Sequence, residues 1–306
     1  MKILVIGGGG FIGTHIVRAI HGAGFSVSSY GRSFLERLEG VEYFFGDFSD
    51  TAKLSEALND VDVVIHSLSS TVPATSDMDP VNDIQQNLIS TVRLLDLMEK
   101  KRVNRLVYLS SGGTVYGNPM CSPVDESSIL APISSYGAVK IAIENFINVA
   151  TVKWGLEAIV LRPSNPYGEF QGHKGVQGLI STVIAKVMEN ESVTIYGDGT
   201  AIRDYLYVYD LALLVLEVVR RGGSGTYNAG SGNGHSVNAI IGTIFDVVGG
   251  GVEIIYKPPR LFDVKEVVLD CRAVLDDFDW TAKTQLRDGI EMHYKYMAEK
   301  KMDKSS

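Results

Sequence analysis

The sequence is poor in cysteine, and this limits the chemistry that it can hold. Cys121 and Cys271 are the only cysteines among 306 residues, too few for a disulfide framework and without the paired spacing of a zinc site. The six histidines also lack metal-ligand spacing, and none stands beside a serine or cysteine motif of a hydrolase. We therefore expect no metal ion and no disulfide.

Excess positive charge and long apolar runs are also missing. The formal net charge is −8, which argues against an electrostatic grip on nucleic acid or on an anionic membrane surface. No stretch reaches the roughly 18 uncharged apolar residues of a membrane span. The apolar start, residues 1–6, is too short for a secretory signal. The sequence thus predicts a cytoplasmic protein.

What is present is a regular alternation of short Val/Ile/Leu runs with helical patterns, which is typical of a parallel sheet covered on both faces. We predict an α/β fold: a doubly wound, Rossmann-type sheet in residues 1–165 and a smaller C-terminal α/β substrate lobe in residues 166–306, part of which returns to the sheet. The predicted strands are residues 3–6, 27–30, 41–45, 61–66, 106–110 and 158–161, and the predicted helices are residues 13–24, 54–58, 83–101 and 136–153.

A glycine cluster lies between the first predicted strand and the first predicted helix. Residues 7–10 are four glycines, and Gly13 follows. Glycine at Gly7, Gly10 and Gly13 permits a tight turn, a close approach of backbone to a pyrophosphate, and packing of helix on strand. The helix N-terminus then offers free N–H donors to the phosphates. At this junction the pattern predicts dinucleotide binding.

The end of the second strand bears on the choice between NAD and NADP. An acidic residue there usually accepts from the ribose 2′-hydroxyl, whereas arginine accommodates a 2′-phosphate. The chain has Gly31, Arg32 and Ser33 at this point, with no acid. We expect NAD or NADP as the cofactor, with NADP slightly favoured. Asp47, after the third strand, is placed to accept from the adenine amino group.

Tyr136 and Lys140 form a YxxxK motif at the start of a predicted helix. Residues four apart share a helical face, so the ammonium of Lys140 is expected near the phenol of Tyr136. The cation favours the phenolate and is expected to lower the pKa of Tyr136 from about 10 toward working pH. Such a phenol can exchange a proton with a substrate hydroxyl while hydride moves to or from a nicotinamide.

With these motifs in order, the sequence resembles the extended short-chain dehydrogenase/reductases, in the branch of UDP-glucose 4-epimerase and related nucleotide-sugar epimerases, dehydratases and reductases. The resemblance covers nearly the whole chain. It rests on the Gly7 loop, Gly46-Asp47, Asn87, residues 110–117, the Tyr136/Lys140 motif, residues 161–168, residues 196–199, Arg203-Asp204-Tyr205 with Asp210, residues 227–230, and Arg260 with Asp263.

The resemblance implies roles for single residues. Tyr136 would be the general acid/base, and Lys140 would tune it and bind the nicotinamide ribose. Cofactor contacts are implied for the glycine loop and for Phe11, Ile12, Asp47, Phe48, Leu68, Asn87 and Pro163. Substrate contacts are implied for Asn165, Tyr196, Arg203, Arg260 and Asp263. Two arginines suit a diphosphate, because a guanidinium presents paired donors to phosphate oxygens.

One position departs from the family pattern. The usual catalytic serine or threonine, which binds the sugar oxygen being oxidised, falls on Gly112. Residues 112 and 114 point the same way on an extended strand, so we expect Thr114 to supply the hydroxyl, ahead of Ser111. The 4,6-dehydratases of the family carry an Asp-Glu pair where this chain has Gly113 and Thr114, which argues against elimination of water.

The residues and the resemblance together predict reversible C4 epimerisation of a nucleotide sugar, of the UDP-hexose or UDP-N-acetylhexosamine type, through a transient 4-keto sugar. The nearest alternative is an NADPH-dependent reductase of a dTDP- or UDP-linked 4-keto-6-deoxy sugar, which Arg32 favours. A non-catalytic NADPH-sensing module is a third possibility, and the intact Tyr136/Lys140 motif argues against it. The resemblance also implies a homodimer, whose seam would involve residues 84–98 and the Tyr136 helix.

Overall fold

A seven-stranded parallel sheet forms the centre of the computed structural model, which describes residues 1–172, 178–259 and 264–303. The order is β10-β6-β5-β4-β1-β2-β3, and each neighbouring pair runs parallel. From β1 the chain first adds β2 and β3 on one side, and then returns to add β4, β5 and β6 on the other side. The direction of strand addition therefore reverses between β1 and β4, and doubly wound sheets bind ligands at the carboxyl edge of this point. The strands are β1 (Lys2–Ile6), β2 (Ser26–Gly31), β3 (Glu42–Phe45), β4 (Val63–His66), β5 (Arg105–Leu109), β6 (Glu157–Pro163) and β10 (Gly225–Ala229).

Helices cover both faces of this sheet, which confirms the predicted Rossmann-type fold. One face packs against α1 (Phe11–Gly22), α8 (Val208–Arg221) and α10 (Arg272–Phe278). The other packs against α2 (Thr51–Ala57), α5 (Ser90–Lys101) and α6 (Ser135–Trp154). The interior strands β1, β4 and β5 are mostly apolar on both sides because each side meets a helical layer.

The single helix predicted over residues 83–101 is wrong in detail. A short helix, α4 (Pro80–Asp83), leads into a π-helical segment, Ile84–Ile89, which continues as α5. Just after this segment, the hydroxyl of Ser90 donates to the carbonyl of Gln85, five residues earlier. Such π-helical turns are frequent at functional sites, and this one carries the buried Asn87.

The C-terminal half builds a smaller α/β assembly around its own core of buried Ile, Val and Tyr side chains. Strand β9 (Ile202–Tyr207) pairs with β7 (Asn165–Tyr167), β11 (Gly234–Ser236) and β13 (Glu266–Val267), and β8 (Val193–Tyr196) pairs with β12 (Ile254–Lys257). Helices α7 (Leu179–Met188), α9 (Val237–Val248) and α11 (Leu286–Asp303) cover them, and a short α3 (Pro73–Ser76) lies earlier in the chain. Strand β10 joins the large sheet and helix α8 packs on it, although both follow residue 165. The predicted boundary at residue 165 stays a prediction.

Candidate functional site

At the carboxyl edge of the sheet, several of the predicted site residues line a cavity of about 300 Å³. The segments that follow β1, β5 and β6 meet there, as expected where the strand order reverses. The cavity is lined among others by Phe11, Ile12, Ser111, Thr114, Tyr136, Pro163 and Asn165.

The glycine loop after β1 has the shape that an anion site requires. Gly7 has a φ of +85°, and a Cβ on Gly13 would lie 2.1 Å from the carbonyl oxygen of Gly7, so both positions need glycine. Gly10 is the N-cap of α1, and the first turn of the helix has no acidic residue. Backbone N–H groups at a helix start, free of a competing carboxylate, fit a pyrophosphate.

The loop after β2 places Arg32 at the surface beside the glycine loop. The backbone of Ser33 lies so close to Gly9 that a Cβ there would approach the Ser33 oxygen to 1.7 Å. Arg32 is exposed, and its charge helps to lower the pKa of Asp47, although hydrogen bonds from Ser49 are the larger cause. Glu36, the first carboxylate after β2, is held by the guanidinium of Arg18. An arginine therefore stands where a ribose-binding acid often does.

Three other predicted cofactor contacts have well-defined protein partners. Asn87 is buried; its amide donates to Asp83 at 2.6 Å and its oxygen accepts from the backbone N–H of Ser70 at 2.9 Å. Phe48 is buried against His66, and Leu68 packs directly against Gly7. Their contacts with a cofactor stay predictions.

Tyr136 and Lys140 lie on one face of α6, as their spacing predicts. Ser134 caps the helix, and the backbone N–H of Tyr136 donates to the hydroxyl of Ser76 at 3.0 Å. The ammonium nitrogen of Lys140 lies 5.5 Å from the centroid of the Tyr136 ring and donates to the carbonyl of Leu109 at 2.9 Å. The two side chains are therefore neighbours. A contact with Ser76 holds the backbone at Tyr136, and a contact with Leu109 holds the ammonium of Lys140.

The expected direction of the Tyr136 pKa is wrong. Burial raises the pKa of Tyr136 to about 12; a hydrogen bond with Ser69 lowers it, and the charge of Asp83 raises it further. The reason is geometric, since the ammonium donates to a backbone carbonyl and faces the ring of Tyr136. Burial also lowers the pKa of Lys140 to about 8, against the opposing effects of Glu144 and Asp83.

The segment after β5 places Thr114 at the cavity, as predicted, but for a different structural reason. Residues 111–114 form a turn, in which the N–H of Thr114 donates to the carbonyl of Ser111 at 3.3 Å; they do not continue a strand, so the strand-parity reason is wrong. A Cβ on Gly112 would lie 2.5 Å from Leu269 and 2.8 Å from the Arg162 carbonyl. Nevertheless, both Ser111 and Thr114 line the cavity. The Thr114 hydroxyl is buried without a hydrogen-bond partner among the described residues.

A second, larger cavity of about 1420 Å³ lies against the C-terminal strands, and Asn165 lines both cavities. Tyr196 and Arg203 are part of its wall, and the guanidinium of Arg203 donates to the carbonyls of Ile202 and Val264. The amide of Asn165 donates to the carbonyl of Asp204 at 2.8 Å. The predicted partners Arg260 and Asp263 lie outside the described residues.

Comparisons with known proteins agree with this geometry. The model of the NAD dependent epimerase/dehydratase family matches residues 3–230. The chain belongs to this family. It is 35% identical, over 96% of its length and 98% of the other, to a candidate UDP-glucose 4-epimerase of Methanocaldococcus jannaschii.

Two solved structures of family members share the whole fold. The UDP-glucose 4-epimerase of Thermotoga maritima, solved with UDP-glucose, superposes with a TM-score of 0.93 at 30% identity, over 98% of this chain and 99% of that one. The UDP-glucose 4-epimerase of Thermus thermophilus, in complex with NAD, gives 0.92 at 29% identity, over 97% and 99%. Membership of the NAD dependent epimerase/dehydratase family confirms the predicted resemblance and the nicotinamide dinucleotide.

Two further predictions concern absences. Across residues 1–172, 178–259 and 264–303, no helix combines the length and apolarity needed to cross a bilayer. Within the same ranges, His, Cys, Asp and Glu side chains form no group of three or more that could hold a metal ion.

Sequence reasoning missed several polar residues of this family member's site. Ser69 lowers the pKa of Tyr136, and Asp83 lies buried with one carboxylate oxygen unpartnered among the described residues. Glu144 lies behind Lys140 on the same helical face, one turn further along. Only Glu144 had a usable signal, an acidic residue continuing the spacing of four from Tyr136 and Lys140. The others depend on loop conformation.

Proposed function

We propose that the protein is a nucleotide-sugar 4-epimerase that acts on a UDP-hexose or UDP-N-acetylhexosamine. The observation that carries the proposal is the shared cavity, which Tyr136 and Thr114 line together with the N-terminal residues of α1. The adjoining cavity lined by Arg203 offers room for a nucleoside diphosphate. The names of the family members described above support the same reaction.

In the proposed reaction each side chain has one task. Tyr136 accepts the proton of the C4 hydroxyl, and it returns a proton to the C4 oxygen after the 4-keto sugar has turned its other face to the hydride. A nicotinamide dinucleotide held at the glycine loop would supply the acceptor and the donor for the C4 hydride. The Thr114 hydroxyl donates to the C4 oxygen, for which its unpartnered buried oxygen suits it. Lys140 supplies the positive charge that phenolate formation needs, because burial alone disfavours that anion.

A 4-keto-sugar reductase is the second candidate, and Arg32 is the observation that favours it. Net reduction needs a cofactor that exchanges, and the exposed Arg32 with Ser33 suits the 2′-phosphate of NADPH. We accordingly propose NADP over NAD by a small margin. Parallel titrations with both dinucleotides test this, and tighter binding of NAD would reverse the preference.

One assay separates these functions. The purified protein is incubated with UDP-glucose, UDP-galactose and UDP-N-acetylglucosamine without added cofactor, and the sugars are resolved by chromatography. Epimer formation that the Tyr136→Phe variant abolishes supports the epimerase. Stoichiometric consumption of NADPH with a 4-keto sugar would instead identify a reductase. Absence of both reactions would contradict both enzymes and leave the sensing module.

We also propose that a second copy of the chain covers an apolar face beside α6. Phe146, Val149 and Val152 of α6 are exposed, and so are Val81 and Ile84 of the neighbouring segment. Exposed apolar side chains clustered on adjacent helical segments are typical of subunit contacts. Light scattering should give a dimer for the native chain and a monomer for Val149→Asp. A monomeric native chain would exclude the proposal.

A further inference from the structure

A buried ionic cluster lies directly behind Lys140. It consists of Glu144 on α6, Arg162 on β6 and Ser110 after β5. The Arg162 and Glu144 side chains expose only 6% and 9% of their surface. Burial of an ion pair is costly unless its hydrogen-bonding groups are satisfied, so the contacts of this pair indicate what it does.

Both carboxylate oxygens of Glu144 are held. The Nη2 and Nε groups of Arg162 donate to the two oxygens at 2.7 and 3.2 Å, and the hydroxyl of Ser110 donates to one of them. The remaining Nη1 group of Arg162 donates to the Tyr116 hydroxyl at 2.9 Å. A forked guanidinium fixed at both ends leaves the carboxylate little freedom to rotate.

The same backbone segment holds Lys140. Leu109 accepts a hydrogen bond from the Lys140 ammonium at 2.9 Å, and the next residue, Ser110, donates to Glu144. Lys140 and Glu144 are one helical turn apart on the same face of α6. Their hydrogen-bond partners, Leu109 and Ser110, are consecutive residues at the edge of the sheet. The face of α6 that carries Lys140 is therefore attached to the sheet edge at two points.

We propose that Glu144, held by Ser110 and Arg162, is a positioning residue that fixes the place and the positive charge of Lys140. This inference rests on the proposed function, in which Lys140 must be an ammonium for the phenolate of Tyr136 to form. Glu144 touches neither substrate nor cofactor in this account and acts through Lys140 alone.

The charges around Lys140 determine the sign of the effect. Glu144 on α6 and Asp83 on α4 favour the ammonium, while burial opposes it. His66 on β4 is neutral because burial lowers its pKa to about 3. Tyr108 on β5, whose ring lies 4.9 Å from the ammonium, is neutral because burial raises its pKa. The positive charge of Arg162 is paired with Glu144. Removing the charge of Glu144 should thus make Lys140 lose its proton at lower pH.

The test compares two variants in which a glutamate is replaced by glutamine. Glu144→Gln removes the charge with little change of shape. Glu157→Gln is the matched control, since Glu157 also pairs with an arginine, Arg105 at 3.8 Å, but lies exposed at the opposite end of β6. Lysines labelled with ¹³C at Cε are titrated by NMR, and the Lys140 signal is assigned from its loss in Lys140→Met. We expect Lys140 to titrate at lower pH only in Glu144→Gln, and kcat at pH 9 relative to pH 7 to fall about fivefold more than in the wild type if the pKa of Lys140 drops by about one unit.

A double variant separates positioning from folding. Glu144→Gln leaves Arg162 buried without its carboxylate and is expected to lower Tm; adding Arg162→Gln removes that unpaired charge. Recovered Tm with a displaced Lys140 titration supports the proposal. A native-like titration in the folded double variant, or an equal displacement in Glu157→Gln, would overturn it. A wild type that epimerises no sugar contradicts the proposed function, whereas the lysine titration still decides the role of Glu144.

Discussion

At the scale of single residues, the unpartnered hydroxyl of Thr114 makes the sharpest prediction. Its oxygen is buried against the cavity without a partner among the described residues, so Thr114→Val leaves no protein group unsatisfied and should keep or raise Tm. The same change removes the donor to the sugar oxygen, and we expect kcat to fall about a hundredfold. Steady-state kinetics and thermal unfolding measure the two effects.

Ser111→Ala is the matched comparison, because Ser111 lines the same cavity. It should cost much less activity than Thr114→Val. Equal losses in the two variants, or a greater loss at Ser111, would show that the hydroxyl has been assigned to the wrong side chain.

The same residues show which features of the site can be predicted from the sequence. The spacing of Tyr136 and Lys140 predicts their shared face, because helix geometry is local and regular. The pKa of Tyr136 follows burial and Ser69 instead, and both depend on distant segments that close over the phenol. Strand parity predicts Thr114, yet Thr114 reaches the cavity through a turn that the sequence pattern does not encode.

At the scale of elements, the loop from β1 to α1 allows two glycines to be told apart. A Cβ on Gly9 would lie 1.7 Å from the Ser33 oxygen, whereas a Cβ on Gly10 would have only the Gly7 oxygen near it, at 3.4 Å. Gly9→Ala should therefore destabilise the fold by roughly 1–3 kcal/mol. Gly10→Ala should change stability little and weaken dinucleotide binding, because its methyl group stands at the helix start.

Thermal unfolding and dinucleotide titration of both variants check this contrast. Unaltered dinucleotide affinity in Gly10→Ala would place the pyrophosphate elsewhere, and an unchanged Tm in Gly9→Ala would mean that the Ser33 loop moves aside freely. Elements of this kind are the part that the sequence predicts best, since apolar strands and a glycine-rich turn are local patterns. The π-helical turn at Ile84–Ile89 escapes such reasoning because a π-helix differs from an α-helix in hydrogen bonds that span five residues instead of four.

At the scale of the whole molecule, the centre of the sheet contains a histidine that must stay neutral. His66 is 1% exposed, lies between the rings of Phe48 and Tyr108, and meets the Thr91 hydroxyl at 2.9 Å. The topology explains its burial, because β4 is an interior strand covered by α5 and α6. No local pattern around His66 reveals this, since the covering helices come later in the chain.

Burial lowers the pKa of His66 to about 3, from 6.5 as the reference value. Between these values the unfolded chain binds a proton that the folded chain rejects, so the free energy of unfolding is fully retained above pH 6.5 and declines as the pH falls toward 3. One such proton contributes a slope of about 1.4 kcal/mol per pH unit.

Denaturant unfolding at pH 8, 6.5 and 5 should show the decline in the wild type. His66→Gln should be less stable than the wild type at pH 8, where only the lost packing matters. Below pH 6.5 its free energy of unfolding should fall less steeply with pH, by about the 1.4 kcal/mol per pH unit that one proton contributes. A variant that retains the full slope would assign the acid sensitivity to other groups, with His15, whose pKa is also lowered by burial, as the next to be replaced.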